Sequence, residues 1–287
     1  MNLKNKVLKK VRAPVRLDFA GGTTDIEPFA SMHNGAVLNA SINKYIIGEL
    51  HADSKSVGLC YNGDIPTSSG LGTSGVMNVV WLALTSNEKN KIKLAENVYE
   101  MEQILGLTGG KQDQYAAVLG GINLLEFNNQ KVKITRLKLN KKFIKELEKR
   151  LLILYTGKPH FSGKSNKAVI DDLISGKNKK YLLNLRDIAF KLKESFENSN
   201  FNEIEMLLNQ ETENRRKLHK LIIPKHVDKL IKTSLKNGAT AVKICGSGNG
   251  GSLLLYCRDL DSRKKLIKKF NKKIIEFKFD FKGLVYL

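Results

Sequence analysis

The chain has 287 residues, of which 41% are hydrophobic and 27% are charged, and this balance excludes an intrinsically disordered protein. The formal net charge is +21, and the whole excess of basic residues lies in residues 131–287. No apolar run approaches the roughly 20 residues that a membrane-spanning helix needs. No apolar stretch follows the basic N-terminus as it would in a signal peptide, so we expect a cytoplasmic protein.

The first half of the chain is predicted to mix short strands, glycine turns and helices. Apolar residues spaced 3.6 apart predict a helix over 91–105, which should stop at Gly106. Apolar and polar alternation predicts two strands joined by a hairpin turn at residues 128–130. In chain order, the predicted elements are strands over 37–50 and 57–61, helices over 74–84 and 91–105, and strands over 122–127 and 132–137.

The second half is predicted to be largely helical between two groups of strands. In chain order it has a strand over 151–156, a mostly helical stretch from about 165 to 237, and strands near 240–245, 252–257, 274–280 and 283–287. Because strands and helices segregate instead of alternating, the pattern predicts an α+β protein. We place a domain boundary near residue 150, so the predicted domains are residues 1–150 and 151–287.

The basic excess of the second half has two interpretations. Such an asymmetry is typical of a nucleic-acid surface or of a site for anionic substrates. However, the basic runs at 141–150 and 263–273 alternate with Ile, Leu and Phe at helical or strand spacing, and they lack the interleaved aromatic residues of a single-strand binding face. The pattern therefore favours a solvated, lysine-rich surface.

Two glycine-rich segments resemble phosphate-binding loops but differ from them in detail. Residues 157–165 (GKPHFSGKS) have five residues between the glycines, where a Walker A loop needs four. Residues 246–251 (GSGNGG) satisfy GxGxxG, but an apolar strand follows instead of the helix that a dinucleotide-binding loop opens. Four glycines in these six positions indicate a backbone that approaches something closely, with a tight strand-to-strand turn as the alternative.

A third segment, residues 66–75 (PTSSGLGTSG), leads directly into the predicted helix over 74–84. Glycines let the backbone wrap an anion, while the free N–H groups and the positive dipole end of the helix point at it. The hydroxyl groups of Ser69, Thr73 and Ser74 add further donors. A single serine would suffice for an ordinary helix cap, so the segment predicts a phosphate-binding loop.

Two further segments match motifs of a known family: Arg12–Asp25 (RAPVRLDFAGGTTD) and Val242–Tyr256 (VKICGSGNGGSLLLY). Together with the phosphate-binding loop, they form three motifs in the order found in the GHMP kinases, a family that the sequence resembles. It is most similar to the heptose kinase branch of that family. Gly35–Tyr45 (GAVLNASINKY) and Gly109–Phe127 (GGKQDQYAAVLGGINLLEF) carry that closer resemblance.

The resemblance implies a fold and two ligand-binding loops. The expected fold has an ATP-binding N-terminal domain like the second domain of ribosomal protein S5 and a ferredoxin-like C-terminal domain, with the active site between them. The glycines Gly246, Gly248 and Gly250 would close over the site and contact phosphates or substrate. The residues expected to bind the ATP phosphates are Pro66, Ser68, Ser69, Gly70, Leu71, Gly72, Thr73 and Ser74.

The family motifs also imply roles for side chains. Asp113 matches the base that accepts the proton of the attacking hydroxyl, and Arg16 matches a neighbouring cation that keeps this base ionised. Asp25 matches the carboxylate that binds sugar hydroxyls. From the residues alone, Asp113 could instead cap the helix that follows it, and Asp25 could be a turn residue. The other residues assigned to the substrate side are Gly22, Thr24 and His160.

A magnesium ion is expected beside the ATP phosphates. Mg²⁺ prefers oxygen ligands and retains several waters, so one carboxylate and one hydroxyl are enough protein ligands. We expect Ser74 and Glu102 to supply them, since Glu102 falls where mevalonate kinase-like members of the family carry the metal carboxylate. The alternative for Glu102 is a solvated position on its helix, like that of Glu100.

These expectations describe an enzyme that uses ATP and Mg²⁺ to phosphorylate a sugar or sugar phosphate, with the anomeric hydroxyl of a heptose 7-phosphate as the leading acceptor. A simple sugar or a mevalonate-type isoprenoid precursor is the alternative acceptor, although Asp25 favours a sugar. An RNA-binding protein with an S5-like fold is the alternative from another class, which the three ordered motifs disfavour. We expect no nucleic-acid or membrane partner, and a monomer or homodimer.

Overall fold

Two antiparallel β-sheets organise the chain in a computed structural model that describes residues 6–53, 56–128, 131–159 and 162–287. The strands are β1 (Lys6–Ala20), β2 (Gly35–Ala52), β3 (Val57–Gly63), β4 (Ile122–Asn128), β5 (Lys131–Arg136), β6 (Leu151–Tyr155), β7 (Ala241–Ile244), β8 (Ser252–Tyr256), β9 (Ile274–Ile275) and β10 (Val285–Tyr286). The helices are α1 (Phe29–His33), α2 (Thr73–Thr85), α3 (Lys91–Ile104), α4 (Gln112–Leu119), α5 (Lys141–Arg150), α6 (Ser162–Ile174), α7 (Lys179–Glu197), α8 (Phe201–Leu218), α9 (Lys225–Lys236) and α10 (Leu260–Phe270). Among the residues described, no helix is both long and apolar enough to cross a membrane.

The first sheet has the strand order β10-β1-β2-β4-β5, and β3 pairs with a separate part of β2. Every residue of β1 from Ala13 to Ala20 is buried, because other elements cover both faces of this strand. Phe19 packs edge-on against Phe196 of α7, with ring centroids 5.0 Å apart. Arg16 of the same strand instead contacts Asp113 of α4. The strand thus lies between an apolar core and a polar site.

The second sheet has the strand order β7-β8-β6-β9 and is antiparallel throughout. Its strands and flanking helices follow one another as β-α-β-β-α-β, the ferredoxin-like pattern that the resemblance implied. Leu152 and Leu154 of β6 belong to a second apolar core with Val169 of α6, Ile231 of α9 and Leu266 of α10. These helices therefore cover the face of the sheet that carries Leu152 and Leu154.

The C-terminal tail returns from the second sheet to the first. Phe277 and Phe279 are buried in the core of the first sheet, and β10 then pairs with β1. The strand expected near 274–280 is consequently short, because only β9 pairs with β6 before the chain leaves the second sheet. The division into domains at residue 150 stays a prediction.

Apart from that strand, the predicted strands and the predicted helices of the first half lie within two residues of the observed elements. The antiparallel sheets and the segregated helices confirm the α+β prediction. The basic segments that allowed either a helix or a strand both form helices, α5 and α10. Phe143 and Leu147 are buried on α5 and Leu266 is buried on α10, so these residues define the inner faces of the two helices.

Candidate active site

A cavity of about 530 Å³ lies where elements of the two sheets meet. Its wall contains residues of the phosphate loop (residues 66–74), of the N-terminal glycine loop (residues 21–25) and of the C-terminal glycine loop (residues 246–251). Residues of β1, α2, α3, α4 and α6 complete the wall. Ten residues predicted from the sequence come together here: Arg16, Asp25, Ser68, Gly70, Gly72, Thr73, Ser74, Glu102, Asp113 and Gly246.

The phosphate loop directs the N-terminus of α2 into this cavity. Gly70 and Gly72 have φ values of +76° and +78°, which glycine adopts without the steric cost of a side chain. Gly72 is the N-cap of α2, and it lines the cavity together with Thr73 and Ser74. The amide groups and the positive dipole end of a helix that starts in this way are suited to a phosphate group.

Arg16 and Asp113 form an ion pair in the cavity wall. Nε and Nη2 of Arg16 lie 2.8 and 2.7 Å from Oδ1 of Asp113, and Nη1 donates to the carbonyl oxygen of Gly70 at 2.8 Å. Burial opposes the charge of Arg16, but the carboxylates of Asp113 and Asp18 outweigh it and raise the pKa of the guanidinium above its usual value. Both contacts use Oδ1, so Oδ2 of Asp113 makes no hydrogen bond within the described ranges and can accept a proton from a ligand.

Two features place Asp113 in the cavity wall: the start of α4 and a glycine of α2, Gly75, that faces it. The N-cap of α4 is Lys111, so Asp113 lies within the first turn and is not the cap residue. A Cβ atom added at Gly75 would lie 2.8 Å from the Cβ atom of Asp113. Glycine at that position therefore allows the carboxylate to approach the first turn of α2.

Asp25 lines the same cavity and is 3% exposed. Its Oδ2 accepts the backbone N–H of Gln112 at 3.1 Å, and its Oδ1 lies 3.4 Å from Nε2 of the same residue. Burial raises the pKa of Asp25 to about 6; the hydrogen bond from Gln112 opposes this shift, and the negative charges of Asp113 and Asp18 add to it.

Gln112 is a cavity residue that the sequence analysis did not single out. Its side-chain oxygen is buried and has no hydrogen-bond partner among the described residues. An amide oxygen beside the carboxylate of Asp25 provides acceptors for two hydroxyl groups of a ligand. In the sequence, Gln112 is recognisable only as the residue before the predicted base Asp113. Its place in the site depends on a hydrogen bond to Asp25, which is 87 residues away.

Glu102 of α3 lies in the cavity wall and is 7% exposed. Its carboxylate accepts hydrogen bonds from Nδ2 of Asn78 at 2.7 Å and from Nε2 of Gln114 at 2.5 Å. Burial raises the pKa of Glu102, which these two hydrogen bonds partly offset. The alternative of a solvated position is wrong for Glu102, whereas Glu100 of the same helix is exposed.

Some predicted site residues do not line the cavity. The hydroxyl group of Thr24 donates to the carbonyl oxygens of Gly21 and Ala36, at 2.7 and 3.0 Å, and holds the N-terminal glycine loop against β2. Gly22 lies against the buried side chains of Asp18 and Arg215. The other predicted residues outside the cavity wall are Pro66, Ser69, Leu71, Gly248 and Gly250. His160 lies outside the described residues.

Close contacts with the phosphate loop explain the glycines of the C-terminal glycine loop. A Cβ atom at Gly246 would lie 2.9 Å from the carbonyl oxygen of Gly70, and one at Gly251 would lie 2.7 Å from that of Ser69. The close approach predicted from these glycines is thus to the backbone of the protein itself. The loop joins the antiparallel strands β7 and β8, as expected for a segment that is not a dinucleotide-binding loop.

Ser68 of the phosphate loop and Asn249 of the C-terminal glycine loop also have a left-handed backbone. Their φ values are +56° and +65°. This conformation costs an ordinary residue roughly 1–2 kcal/mol, and asparagine tolerates it better than most. The loop conformations that suit glycine are therefore retained without it.

The sequence analysis also missed a cluster of four fully buried charged side chains. Asp18 of β1, Glu211 and Arg215 of α8, and Lys243 of β7 are all 0% exposed. Arg215 Nη2 and Lys243 Nζ lie 3.3 and 3.1 Å from Oδ2 of Asp18. Asp18 and Lys243 could have been noticed in the sequence because each is a charged residue between two apolar neighbours in a strand, in LDF and VKI.

Curated proteins and solved structures resemble this chain over nearly its whole length. A D-glycero-alpha-D-manno-heptose 7-phosphate kinase of Campylobacter jejuni is 27% identical over an alignment that covers 96% of this chain and 97% of that protein. A bifunctional fucokinase/GDP-fucose pyrophosphorylase of Arabidopsis thaliana is 23% identical over 90% of this chain and 30% of its own length. The crystal structure of a D-glycero-D-manno-heptose 1-phosphate kinase from Bacteroides thetaiotaomicron has a TM-score of 0.77 at 22% identity, covering 98% of this chain and 99% of that one.

Two family models match successive parts of the chain. Residues 38–121 match the GHMP kinases N terminal domain, and residues 192–276 match the GHMP kinases C terminal domain. The first match contains the phosphate loop and Asp113, and the second contains the C-terminal glycine loop, so both carry parts of the cavity wall. In agreement with the motifs in its sequence, the chain belongs to the GHMP kinases.

Proposed function

We propose that this enzyme transfers the γ-phosphoryl group of ATP to the anomeric hydroxyl of a heptose 7-phosphate. The observation that carries the proposal is the Arg16–Asp113 ion pair beside the N-terminus of α2, in one cavity with Asp25. A phosphate-binding helix end, an ionised base and a hydroxyl-binding carboxylate are the groups that phosphoryl transfer to a sugar requires.

The described contacts suggest a division of roles between the side chains. Asp113 accepts the proton of the attacking hydroxyl at Oδ2, since Oδ1 is held by Arg16. Arg16 holds this carboxylate through the ion pair and places a positive charge beside the transferring phosphoryl group. Asp25 and Gln112 accept hydrogen bonds from other hydroxyls of the sugar and orient it toward Asp113.

The residues present also fit a magnesium ion. Glu102 offers a buried carboxylate next to the unpartnered side-chain oxygen of Gln114, and Ser74 offers a hydroxyl at the start of α2. No group of three or more His, Cys, Asp or Glu that could hold a metal occurs in the described part of the chain, and few protein ligands are what Mg²⁺ usually takes. Glu102 and Ser74 would hold the ion, which neutralises phosphate charge when bound.

A phosphorylated heptose is the acceptor that the site and the relatives favour. Asp25 and Gln112 suit a ligand with several hydroxyls better than an isoprenoid precursor. Lys164, near the N-terminus of α6, lines the cavity and can face a phosphate group on the acceptor. The C. jejuni relative is named for a heptose 7-phosphate. The cytoplasmic location and the monomeric or homodimeric state stay predictions.

An acceptor screen tests this proposal. With ADP release coupled to a reporter, we expect kcat/KM for heptose 7-phosphates to exceed that for neutral sugars by at least about tenfold, which corresponds to about 1.4 kcal/mol of acceptor recognition. Mannose, galactose, fucose and mevalonate serve as comparison acceptors. Equal kcat/KM for a neutral sugar and the best sugar phosphate would contradict recognition of an acceptor phosphate.

The substitution Asp113→Asn should reduce kcat by roughly 10²- to 10⁴-fold, because it preserves size but removes proton acceptance. ATP affinity should barely change, since the phosphate loop is intact. Turnover and nucleotide binding are measured on one preparation, with Asp261→Asn on the exposed face of α10 as the matched control. Retention of more than about a tenth of wild-type kcat would show that Asp113 only positions the substrate.

The substitution Glu102→Gln should raise the Mg²⁺ concentration needed for half-maximal rate, because a neutral amide is a weaker ligand for this ion than a carboxylate. Magnesium titrations at saturating ATP and acceptor measure the change. Glu100→Gln, on the exposed face of the same helix, provides the control. A magnesium dependence like that of the wild type would remove Glu102 from the metal site.

The pKa of Asp25, raised to about 6, predicts a pH-dependent acceptor KM. The ionised carboxylate is the form that accepts two hydroxyl hydrogens, so affinity is close to full at pH 7 and falls as the pH drops through 6. At one pH unit below the pKa about a tenth of the carboxylate is ionised, and the acceptor KM should therefore rise about tenfold between pH 7 and pH 5.

The acceptor phosphate also titrates near pH 6, so the measurement needs the Asp25→Asn variant for comparison. That variant retains the titration of the acceptor and loses that of Asp25. The pH profile of the acceptor KM should therefore be shallower in Asp25→Asn than in the wild type. Identical profiles in the two proteins would rule out a role of the ionised Asp25 in acceptor binding.

A further inference from the structure

We propose that Arg215 of α8 is a positioning residue, which fixes the N-terminal glycine loop relative to the C-terminal glycine loop and thereby holds Asp25 in place for the acceptor. The inference rests on the proposed function, because it assumes that Asp25 binds the acceptor. Arg215 does not line the cavity and lies outside the three sequence motifs. It is the largest fully buried side chain among the described residues.

The guanidinium group of Arg215 contacts the backbone of both loops. Nη2 donates to the carbonyl oxygen of Gly22 at 2.9 Å, and Nη1 donates to that of Gly246 at 3.1 Å. Gly22 precedes Asp25 by three residues, and Gly246 lines the cavity and packs against Gly70. A single planar group with donors in a fixed geometry therefore sets the separation of the two loops.

The other contacts of Arg215 neutralise its charge. Nε donates to Oε1 of Glu211 at 2.9 Å, and Nη2 also lies 3.3 Å from Oδ2 of Asp18. Nζ of Lys243 lies 3.1 Å from that same Asp18 oxygen. Burial opposes the charge of Arg215, but Glu211 and Asp18 outweigh burial and raise its pKa above the usual value. The guanidinium thus remains protonated while it holds the two loops.

Folding stability alone does not explain this arrangement, because well-packed apolar side chains can often replace a buried ion pair without loss of stability. Lys243 does not duplicate the loop contacts, since its Nζ donates to the carbonyl oxygen of Ile244. Gly22 is matched to Arg215: a Cβ atom there would lie 2.6 Å from Nη2 and 2.2 Å from Oδ2 of Asp18. Only glycine lets the arginine reach the loop backbone, which points to a role in placing that loop.

The substitution Arg215→Lys tests the proposal because it keeps the charge but offers a single ammonium group instead of a planar fork. We expect the acceptor KM to rise at least about tenfold, as small displacements of a positioning group typically cause. The KM for ATP should change less than about threefold, since Arg215 does not contact the phosphate loop. Amide hydrogen exchange of residues 21–25 should become faster.

Glu211→Gln is the matched control within the same buried cluster. It disturbs the charge balance but leaves the hydrogen bonds of Arg215 to Gly22 and Gly246 in place. We expect it to lower the thermal unfolding temperature while the acceptor KM changes less than about threefold. A purely structural role of Arg215 would instead make the two variants alike, with KM tracking the loss of stability.

A double-mutant cycle with Asp25→Asn identifies the residue through which Arg215 acts. In the Asp25→Asn background, Arg215→Lys should add less than about twofold to the acceptor KM, because the group that it positions is already absent. Full additivity of the two effects would overturn the proposal. So would equal increases in the KM values for acceptor and ATP in the single variant.

If Arg215→Lys does not fold, Arg215→Met combined with Glu211→Leu replaces one cation and one anion together and leaves Asp18 paired with Lys243. The same KM values and exchange rates are then measured on that protein. Failure of the proposed function would appear as a wild-type protein that phosphorylates no sugar. Unchanged hydrogen exchange of residues 21–25 in the variant would overturn the role of Arg215 alone, whatever the acceptor.

Discussion

The buried positive charge of Arg16 is the constraint on which the rest of the cavity depends. An arginine that is 4% exposed needs both an anion and hydrogen-bond acceptors nearby. It finds them in Asp113 of α4 and in the carbonyl oxygen of Gly70, while its own backbone N–H donates to Leu71. One side chain thus joins β1, the phosphate loop and α4. The carboxylate proposed as the base and the loop proposed to bind phosphate are held by the same cation, so their separation is determined by one group.

Backbone contacts between loops impose a second constraint. The phosphate loop and the C-terminal glycine loop approach so closely that side chains at Gly246 or Gly251 would collide with carbonyl oxygens of Gly70 or Ser69. Glycines in both loops are thus needed for the loops to pack together, in addition to any contact with a ligand. This packing also explains why residues from both halves of the chain line one cavity. A side chain added at Gly246 or Gly251 would displace the phosphate loop, because the contact is between backbones and no flexible side chain can absorb the added atoms.

Local sequence patterns predicted helices α2 and α3 of the cavity wall, but they predicted neither β1, which carries Arg16, nor the contacts between distant residues. The start of α2 is recognisable because glycines and hydroxyl residues precede an apolar helix within about ten positions. Gln112 and Arg215 escaped prediction because Asp25 is 87 residues from Gln112 and Gly22 is 193 residues from Arg215, and no local pattern reports contacts over such separations. The shortness of β9 also results from contacts between distant residues. The alternating residues at 274–280 predict a longer strand, but Phe277 and Phe279 pack into the core of the first sheet.

The balance of charge in the cavity separates the proposed roles of its carboxylates. Asp25, Glu102 and Asp113 all line the wall, and the negative charge of Asp113 contributes to the raised pKa of both Asp25 and Glu102. Asp113 is paired with the guanidinium of Arg16, whereas Asp25 and Glu102 are held by amide groups of Gln112, Asn78 and Gln114. An amide donor stabilises a carboxylate less than a guanidinium does. The proposed base is thus the carboxylate that is paired with a cation, and the other two gain most from a ligand that offers hydroxyl hydrogens or positive charge.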